Sequence, residues 1–349
     1  MVYVSSFRSI AVIAVVLLLS IATASKADQM ESYVIGGHGQ ANVKHPDWFK
    51  HTFFDLREDL EEARDSGKRG VIVFLTQEHC NHCQAFLDTT LKDTEIRNRL
   101  NKSYDVLGLD IFSDIELTDI DGTTLTVNEY TLSKKARFTP TLLFYGTENI
   151  ILLKIVGFYP PEKFRSVLDF IDGGYYKTET LSEYLRRQIN IVSSQESIAY
   201  DQTLFSKPPH DLNRSNQKSE QPVLVIFEVP NCNPCKRFHQ RVLGDTEVRN
   251  LLTKFDAIQL DATDTEILVT TPNGDNVTPM QWADVLQLGY DISSVFFDKD
   301  GNEVHRIDSE TGVDRFTGSL QYVLEGAYQQ HDQFQHWRRE NALKANDSN

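Results

Sequence analysis

The residues able to do chemistry are four cysteines in two Cys-X-X-Cys pairs: Cys80 and Cys83 in QEHCNHCQAF (77–86), and Cys232 and Cys235 in VPNCNPCKRF (229–238). They are all the cysteines the chain has. The thiolate is the nucleophile of disulfide exchange, and a second thiol one helical turn on can resolve the mixed disulfide that results. Each pair follows a short apolar, β-branched run and opens a predicted helix, where free backbone N–H groups and the macrodipole favour a thiolate over a thiol. Cys80 and Cys232 are therefore the expected nucleophiles, and Cys83 and Cys235 the resolving partners. Two other uses compete. A structural zinc site would need four thiolates in one shell, but 148 residues lie between Cys83 and Cys232. Inert disulfides would close loops too short to constrain the unfolded chain.

The residues between the cysteines differ: Asn81-His82 in the first pair, Asn233-Pro234 in the second. His82 can donate a hydrogen bond or a positive charge to the thiolate, which stabilises the reduced form, whereas Pro234 has no N–H to offer. The expectation is that pair 80/83 is more oxidising than pair 232/235. His79 is either a second tuning group or a solvated side chain.

The elements that must position these thiols occur twice. A shift of 152 lays Cys80 and Cys83 on Cys232 and Cys235, Asp93-Thr94-Glu95 on Asp245-Thr246-Glu247, Gly122 on Gly274, Phe164 on Phe316 and Gly174 on Gly326. One offset held over about a hundred positions marks a tandem duplication. In the first copy the predicted order is a helix over 45–68, a buried strand over 71–76, a helix from Cys80 toward Leu100 with Asp93 as an internal cap, and a strand over 104–112. A turn at Asp121-Gly122, a helix over 128–138, a strand pair (TLLFY and IILLKIV) and a closing helix over 160–171 complete it. The fold class is α/β: two tandem domains, each a mixed central sheet flanked by helices, with long crossovers joining parallel strands and a short link joining the last, antiparallel pair.

Domain limits follow from composition. Residues 28–44 read as a flexible lead-in, 45–189 as domain 1, the polar and proline-containing stretch 190–221 as a linker, 222–340 as domain 2 with an N-terminal helix that can begin at 198, and 341–349 as a tail, polarity rising from about Trp337. At the start, Arg8 precedes an apolar run from Ile10 to Ala22 and a small-residue Ala22-Thr23-Ala24 pattern. This is the layout of a secretory signal peptide over 1–24, with an uncleaved anchor as the alternative. Export predicts a periplasmic location. A net charge of −15 excludes a general nucleic-acid binder, which needs basic patches. Asp119-Ile120-Asp121-Gly122 has the look of a calcium loop but lacks the downstream glutamate. The remaining histidines show no ligand spacing and read as surface residues.

Both halves resemble thioredoxin-fold domains, and are most similar to exported thioredoxins of the SoxW type found with periplasmic sulfur oxidation. The residues that carry this are CNHCQAFLDTTLKDTEIRNRL, RFTPTLLFYG and GFYPPEKFRSVLDFIDGGYY in the first copy, and CNPCKRFHQRVLGDTEVRNLL, FFDKDGNEVHRID and RFTGSLQYVLEGAY in the second. The resemblance implies dithiol–disulfide exchange with disulfide-bearing partner proteins, electrons arriving from a membrane carrier, and no cofactor beyond the redox-active cysteines. It also implies a cis-proline facing the cysteines that receives the substrate chain, which falls on Thr139-Pro140.

The departures matter as much. In the second copy Ser293 or Ser294 stands where that proline is expected, and a non-proline cis bond costs about 2.5–4 kcal/mol. The loop there is expected to run trans and alter the groove, leaving the second copy with weakened exchange or adventitious metal binding. The carboxylate that the family buries six residues before the first cysteine is replaced by Phe74 and Ile226. Glu228 could take a proton instead, although a strand-end glutamate reads first as a surface charge. The reading is an exported thiol–disulfide oxidoreductase. A client-binding module, or a catalytic first domain with a degenerate docking second domain, is the alternative.

Overall fold

A computed structural model describes residues 43–136, 138–189, 198–215, 219–289, 291–331 and 333–347. The segment expected to be a signal peptide and most of the lead-in lie outside the described residues. In the first copy α1 (Leu56–Asp65) precedes β1 (Gly70–Thr76), α2 (Asn81–Ala85), a π-helical turn (Phe86–Thr90), α3 (Thr94–Ser103) and β2 (Tyr104–Asp110). A small hairpin of β3 (Glu116–Thr118) and β4 (Thr124–Thr126) leads into α4 (Val127–Ser133), β5 (Thr141–Gly146), β6 (Ile150–Val156), α5 (Pro161–Asp172) and α6 (Leu181–Ile189). The second copy has β7 (His210–Asp211), β8 (Val223–Glu228), α7 (Asn233–Arg237), a π-helical turn (Phe238–Val242), α8 (Thr246–Leu252) and β9 (Asp256–Asp261). β10 (Val269–Thr270), β11 (Asn276–Val277), α9 (Pro279–Val285), β12 (Ile292–Phe297), β13 (Glu303–Ile307), α10 (Val313–Leu324) and α11 (Phe334–Asp347) follow.

The main sheets have the same order, β2-β1-β5-β6 and β9-β8-β12-β13, parallel at the first pairing and antiparallel at the next two. β1 and β8 are buried along their whole length. Their side chains alternate between faces: Ile72 and Phe74 enter one apolar cluster, and Val71, Val73 and Leu75 another. The duplication extends to backbone detail. The irregularity in β5 between Phe144 and Tyr145 recurs in β12 between Phe296 and Phe297. His79 and Asn231, each just ahead of the first cysteine, both have φ 59°. Capping boxes at Thr126 and Thr278 start α4 and α9.

Four boundaries differ from the sequence reading. The helix expected over 128–138 covers Val127–Ser133, and Lys135 just after it takes a left-handed φ of 52°. The first helix covers only Leu56–Asp65, because Phe54 takes a left-handed φ of 64° and Asp55 caps the helix by accepting from the amides of Arg57 and Glu58. No helix forms over 198–209; Pro208 and Pro209 resist one, and β7 just after them pairs with β10. The polar end of the chain is helical to Asp347, because Phe334 and Trp337 at the start of α11 are buried against Tyr322, each with ring centroids 5.4 Å from it.

The two copies pack through the faces that carry the cysteine helices. Phe74, Phe86 and Phe164 share one cluster with their counterparts Ile226, Phe238 and Phe316. Contacts between copies are reciprocal under the shift of 152. Gly157 meets Ser309, its own counterpart. α6 reaches α9 through an Arg186–Asp284 ion pair, and α11 reaches α4 through His336 Nε2, 3.1 Å from Asn128 Nδ2. This is the pattern of an isologous dimer interface, made within one chain. Among the described residues no helix is long and apolar enough to cross a membrane.

The close approach at Gly157 is testable. A Cβ there would lie 2.5 Å from Ser309 Cβ at a φ of +92°, whereas Gly174, at φ +70°, has open space around it. Gly174→Ala is expected to cost about 1 kcal/mol from backbone conformation alone. Gly157→Ala adds overpacking and is expected to cost about 3 kcal/mol, read as the difference between the two variants in urea unfolding.

Candidate active site

β1 delivers the chain to Gln77, His79 turns it through a left-handed conformation, and Cys80 becomes the N-cap of α2. Cys80 Sγ accepts a hydrogen bond from Cys83 N at 3.1 Å, so the helix start holds the sulfur directly. Cys80 and Cys83 are joined as a disulfide with Cα atoms 5.2 Å apart. Cys80 is 7% exposed and Cys83 not at all. Thr139 Oγ1 lies 3.4 Å from Cys80 Sγ and donates to Gln77 Oε1 at 3.0 Å. The Thr139–Pro140 peptide is cis, and the Pro140 carbonyl accepts from Gly157 N at 2.8 Å, tying this loop to the end of β6. The structure thus brings Cys80, Cys83, Thr139 and Pro140 together. His82 has an exposed edge, but its Nδ1 is sealed from solvent with no partner among the described residues. Burial, and then the nearby Arg315 charge, push its pKa down to about 3. The ring is neutral at pH 7, so hydrogen bonding is the only one of the two expected tuning effects left to it.

The second pair is built the same way and surrounded differently. Cys232 caps α7, with Asn233 and Pro234 opening the helix, and its Sγ accepts from Cys235 N at 2.9 Å. The two form a disulfide with the same 5.2 Å Cα separation. Both sulfurs face a carbonyl oxygen, that of Asp291, at 3.7 Å from Cys232 Sγ and 3.4 Å from Cys235 Sγ. The sheet register corrects the expected place of the missing proline. Ser293 pairs with Phe227 as Thr141 pairs with Leu75, so Ile292 occupies the position of Pro140. Ser293 and Ser294 are buried strand residues, and Ser293 Oγ donates to Asp308 Oδ1 at 2.5 Å.

Glu228 is not a surface charge. It is 1% exposed, because it continues the alternation of Leu224 and Ile226 onto the face that carries the cysteine helix. Its carboxylate meets His239 Nε2 at 2.8 Å and accepts from Gln259 Nε2 at 3.2 Å. His239 also lines a surface pocket with Tyr200, Asp201 and Thr203, which connects the buried carboxylate to solvent. Sequence reasoning read His239 as a surface residue; the period-two pattern of β8 was the signal for Glu228, and nothing local marked His239. His210 and His305 are buried as well, at 5% and 4% exposure. Phe74 and Ile226, in place of the family's carboxylate, lie fully in the core. In the loop with a calcium-site look, Asp119 pairs with Lys134.

The Glu228–His239 pair gives a pH signature. Burial pulls the His239 pKa down, but the hydrogen bond and charge of Glu228 outweigh it and leave the pKa raised. A raised folded-state pKa contributes stability that is full below the unfolded value of about 6.5 and is lost as pH rises through the folded value. The stability deficit of His239→Gln against the parent chain is therefore expected to narrow as pH rises above about 6.5. Urea melts across that range check this, and a constant deficit would show that His239 never carries the charge.

The thioredoxin-like domain family matches residues 56–172 and again 208–324. No curated protein matches the chain. Among solved structures, a thioredoxin-fold protein from Helicobacter pylori is similar at 19% identity, covering 35% of this chain and 80% of that one, with a TM-score of 0.29. A thioredoxin from Thermus thermophilus is similar at 21% identity over 33% of this chain and 81% of its own, TM-score 0.27. A DsbH oxidoreductase is similar at 16% identity over 38% and 92%, TM-score 0.26. The two family matches fall on the two copies, each enclosing one Cys-X-X-Cys pair, and together they take in well over half of the chain: it belongs to the thioredoxin-like domain family.

Proposed function

We propose that this chain is an exported thiol–disulfide oxidoreductase that exchanges dithiol for disulfide with partner proteins, with Cys80 as entry nucleophile. The observation that carries the reading is the pairing of each disulfide with a helix start that hydrogen-bonds the first sulfur. In the reduced enzyme the Cys80 thiolate attacks one sulfur of a partner disulfide, forming a Cys80–partner bond and releasing a partner thiolate. Cys83 then loses its proton and attacks Cys80 Sγ. The Cys80–Cys83 disulfide re-forms and the second partner thiolate leaves; the partner has gained two electrons, and its two thiols take the proton released by Cys83 and one proton from solvent. The reverse sequence oxidises a partner dithiol. The exposure of Cys80 over Cys83 fits this order of attack, and Thr139 and Pro140 line the approach.

Export rests on the layout of residues 1–24, and service to periplasmic sulfur oxidation, with electrons from a membrane carrier, on the resemblance of the quoted motifs. Cys232 and Cys235 act as a second centre or as a relay to the first. The rival, a docking second copy, draws on Ile292 in the place of the proline. A second carboxylate route also differs between the copies: Glu228, joined to solvent through His239, is the available proton acceptor for the second pair.

Two outcomes test the reading. Cys83→Ser is expected to accumulate a covalent mixed disulfide through Cys80 with a disulfide-bearing substrate, seen on non-reducing gels and lost in Cys80→Ser; a client-binding module would bind both variants alike and trap neither. The pairs should also differ in potential. A carbonyl oxygen against the sulfurs of Cys232 and Cys235 opposes a thiolate there and so lowers the potential of that pair. Pair 80/83 is expected to be more oxidising by at least about 30 mV, a tenfold difference in equilibrium constant, measured in full-length chains with the other pair changed to serine.

A further inference from the structure

The reciprocal packing puts one charged side chain from each copy against the redox loop of the other. Lys163 and Arg315 are counterparts under the shift of 152, each in the first turn of the closing helix of its copy. Lys163 crosses to the second copy, where its Nζ lies 3.1 Å from Asp291 Oδ1. Asp291 is the residue whose carbonyl faces both sulfurs there. Arg315 crosses to the first copy, where its guanidinium carbon sits 5.0 Å over the ring of Phe138. Phe138 directly precedes Thr139, whose hydroxyl touches Cys80 Sγ.

The two cations are not in the same electrical state. Lys163 is neutralised by Asp291. Arg315 is 9% exposed, and its Nε is buried with no hydrogen-bond partner among the described residues. The influences on its charge are burial and the neighbouring Arg338, both of which lower its pKa, to about 9, and no described carboxylate opposes them. It is still a cation at neutral pH. Its field reaches the cysteine motif, since it helps to depress His82. The charged or titratable groups around this point are Arg315, Arg338, His82 and Asp314, which favours the charge on Arg338. An unopposed cation in a poorly solvated place acts on whatever negative charge appears nearby.

We propose that Arg315, supplied by the second copy, is a tuning residue of the first copy's redox centre that stabilises the Cys80 thiolate, and that the Lys163–Asp291 pair withholds the same effect from Cys232. This rests on the reading that pair 80/83 cycles. When that disulfide takes two electrons and one proton from a dithiol, which becomes a disulfide and loses its second proton to solvent, the products are the Cys80 thiolate and the Cys83 thiol. The negative charge is created in the cysteine motif that the field of Arg315 reaches, and among the described residues no carboxylate pairs with that guanidinium. Cation–π contact with Phe138 fixes the guanidinium there in the oxidised state. The first centre is therefore complete only when the second copy is docked on it.

The test uses the full-length chain carrying Cys232→Ser and Cys235→Ser, equilibrated with dithiothreitol or glutathione redox buffers, and the converse chain carrying Cys80→Ser and Cys83→Ser. Arg315→Gln is expected to lower the equilibrium constant for forming reduced 80/83 about tenfold, equal to about 30 mV. The same change is expected to raise the Cys80 pKa by about one unit, followed by thiolate absorbance. Arg315→Lys should restore most of both, and the potential of pair 232/235 should not move. Asp291→Asn, which unmasks Lys163, should make pair 232/235 more oxidising. Should Arg315→Gln fail to fold, Arg315→Lys and Asp291→Asn still decide. Unchanged potentials in the folded variants, or equal shifts in both pairs, overturn the proposal. A parent chain whose 80/83 pair does not equilibrate with either buffer overturns the exchange reading itself, and this inference with it.

Discussion

The structure depends on the packing of two like faces around the point where Gly157 meets Ser309. Each face carries a cysteine helix and a closing helix, and burying them together creates one apolar cluster that includes Cys232 and Cys235 and the aromatic floor under Cys80. The contact sets how closely the copies approach. Gly157 has no side chain to hold Ser309 off, and its amide fixes the Pro140 loop from the other side. The order of the Pro140 loop, the low exposure of both nucleophile candidates and the placement of Lys163 and Arg315 all follow from that approach.

Much of each copy was legible in the sequence because its signals are local. The β-branched run 71–76, the cap at Asp93, the short link at Gly146 and the proline-led helix from 161 each specify an element through a few adjacent residues, and each is found. The elements that departed depend on distant partners. Residues 45–55 have helical composition, but His45 and Phe49 stack on each other and both meet Phe74 edge-on, which holds this stretch against the sheet in non-helical form. The end of the chain is polar except for Phe334 and Trp337, and those two are enough to dock α11 on α10.

The site was legible in its thiols and much less so in its surroundings. The spacing of Cys80 and Cys83, and the position of Thr139-Pro140 before a strand, were sufficient to bring these residues together. The repeat offset of 152 itself lays Pro140 on Ile292, one or two residues before Ser293 and Ser294, and the ladder to β8 has the same register. Glu228 was misjudged because its acidity argued for solvent, while its partners His239 and Gln259 come from a helix and a strand farther along the chain. Arg315 could not be assigned to the first centre at all, since the assignment needs the relative placement of the copies.

The fused, two-fold arrangement has an evolutionary and thermodynamic consequence. In a homodimer, any substitution appears at both sites at once. Joining the copies in one chain releases that symmetry, so one centre can face a carbonyl and a neutralised lysine while the other faces the Thr139 oxygen and a guanidinium stacked over Phe138. The tether also replaces bimolecular association with an effective concentration that is commonly on the order of millimolar. An interface held at such a concentration stays formed without great intrinsic affinity.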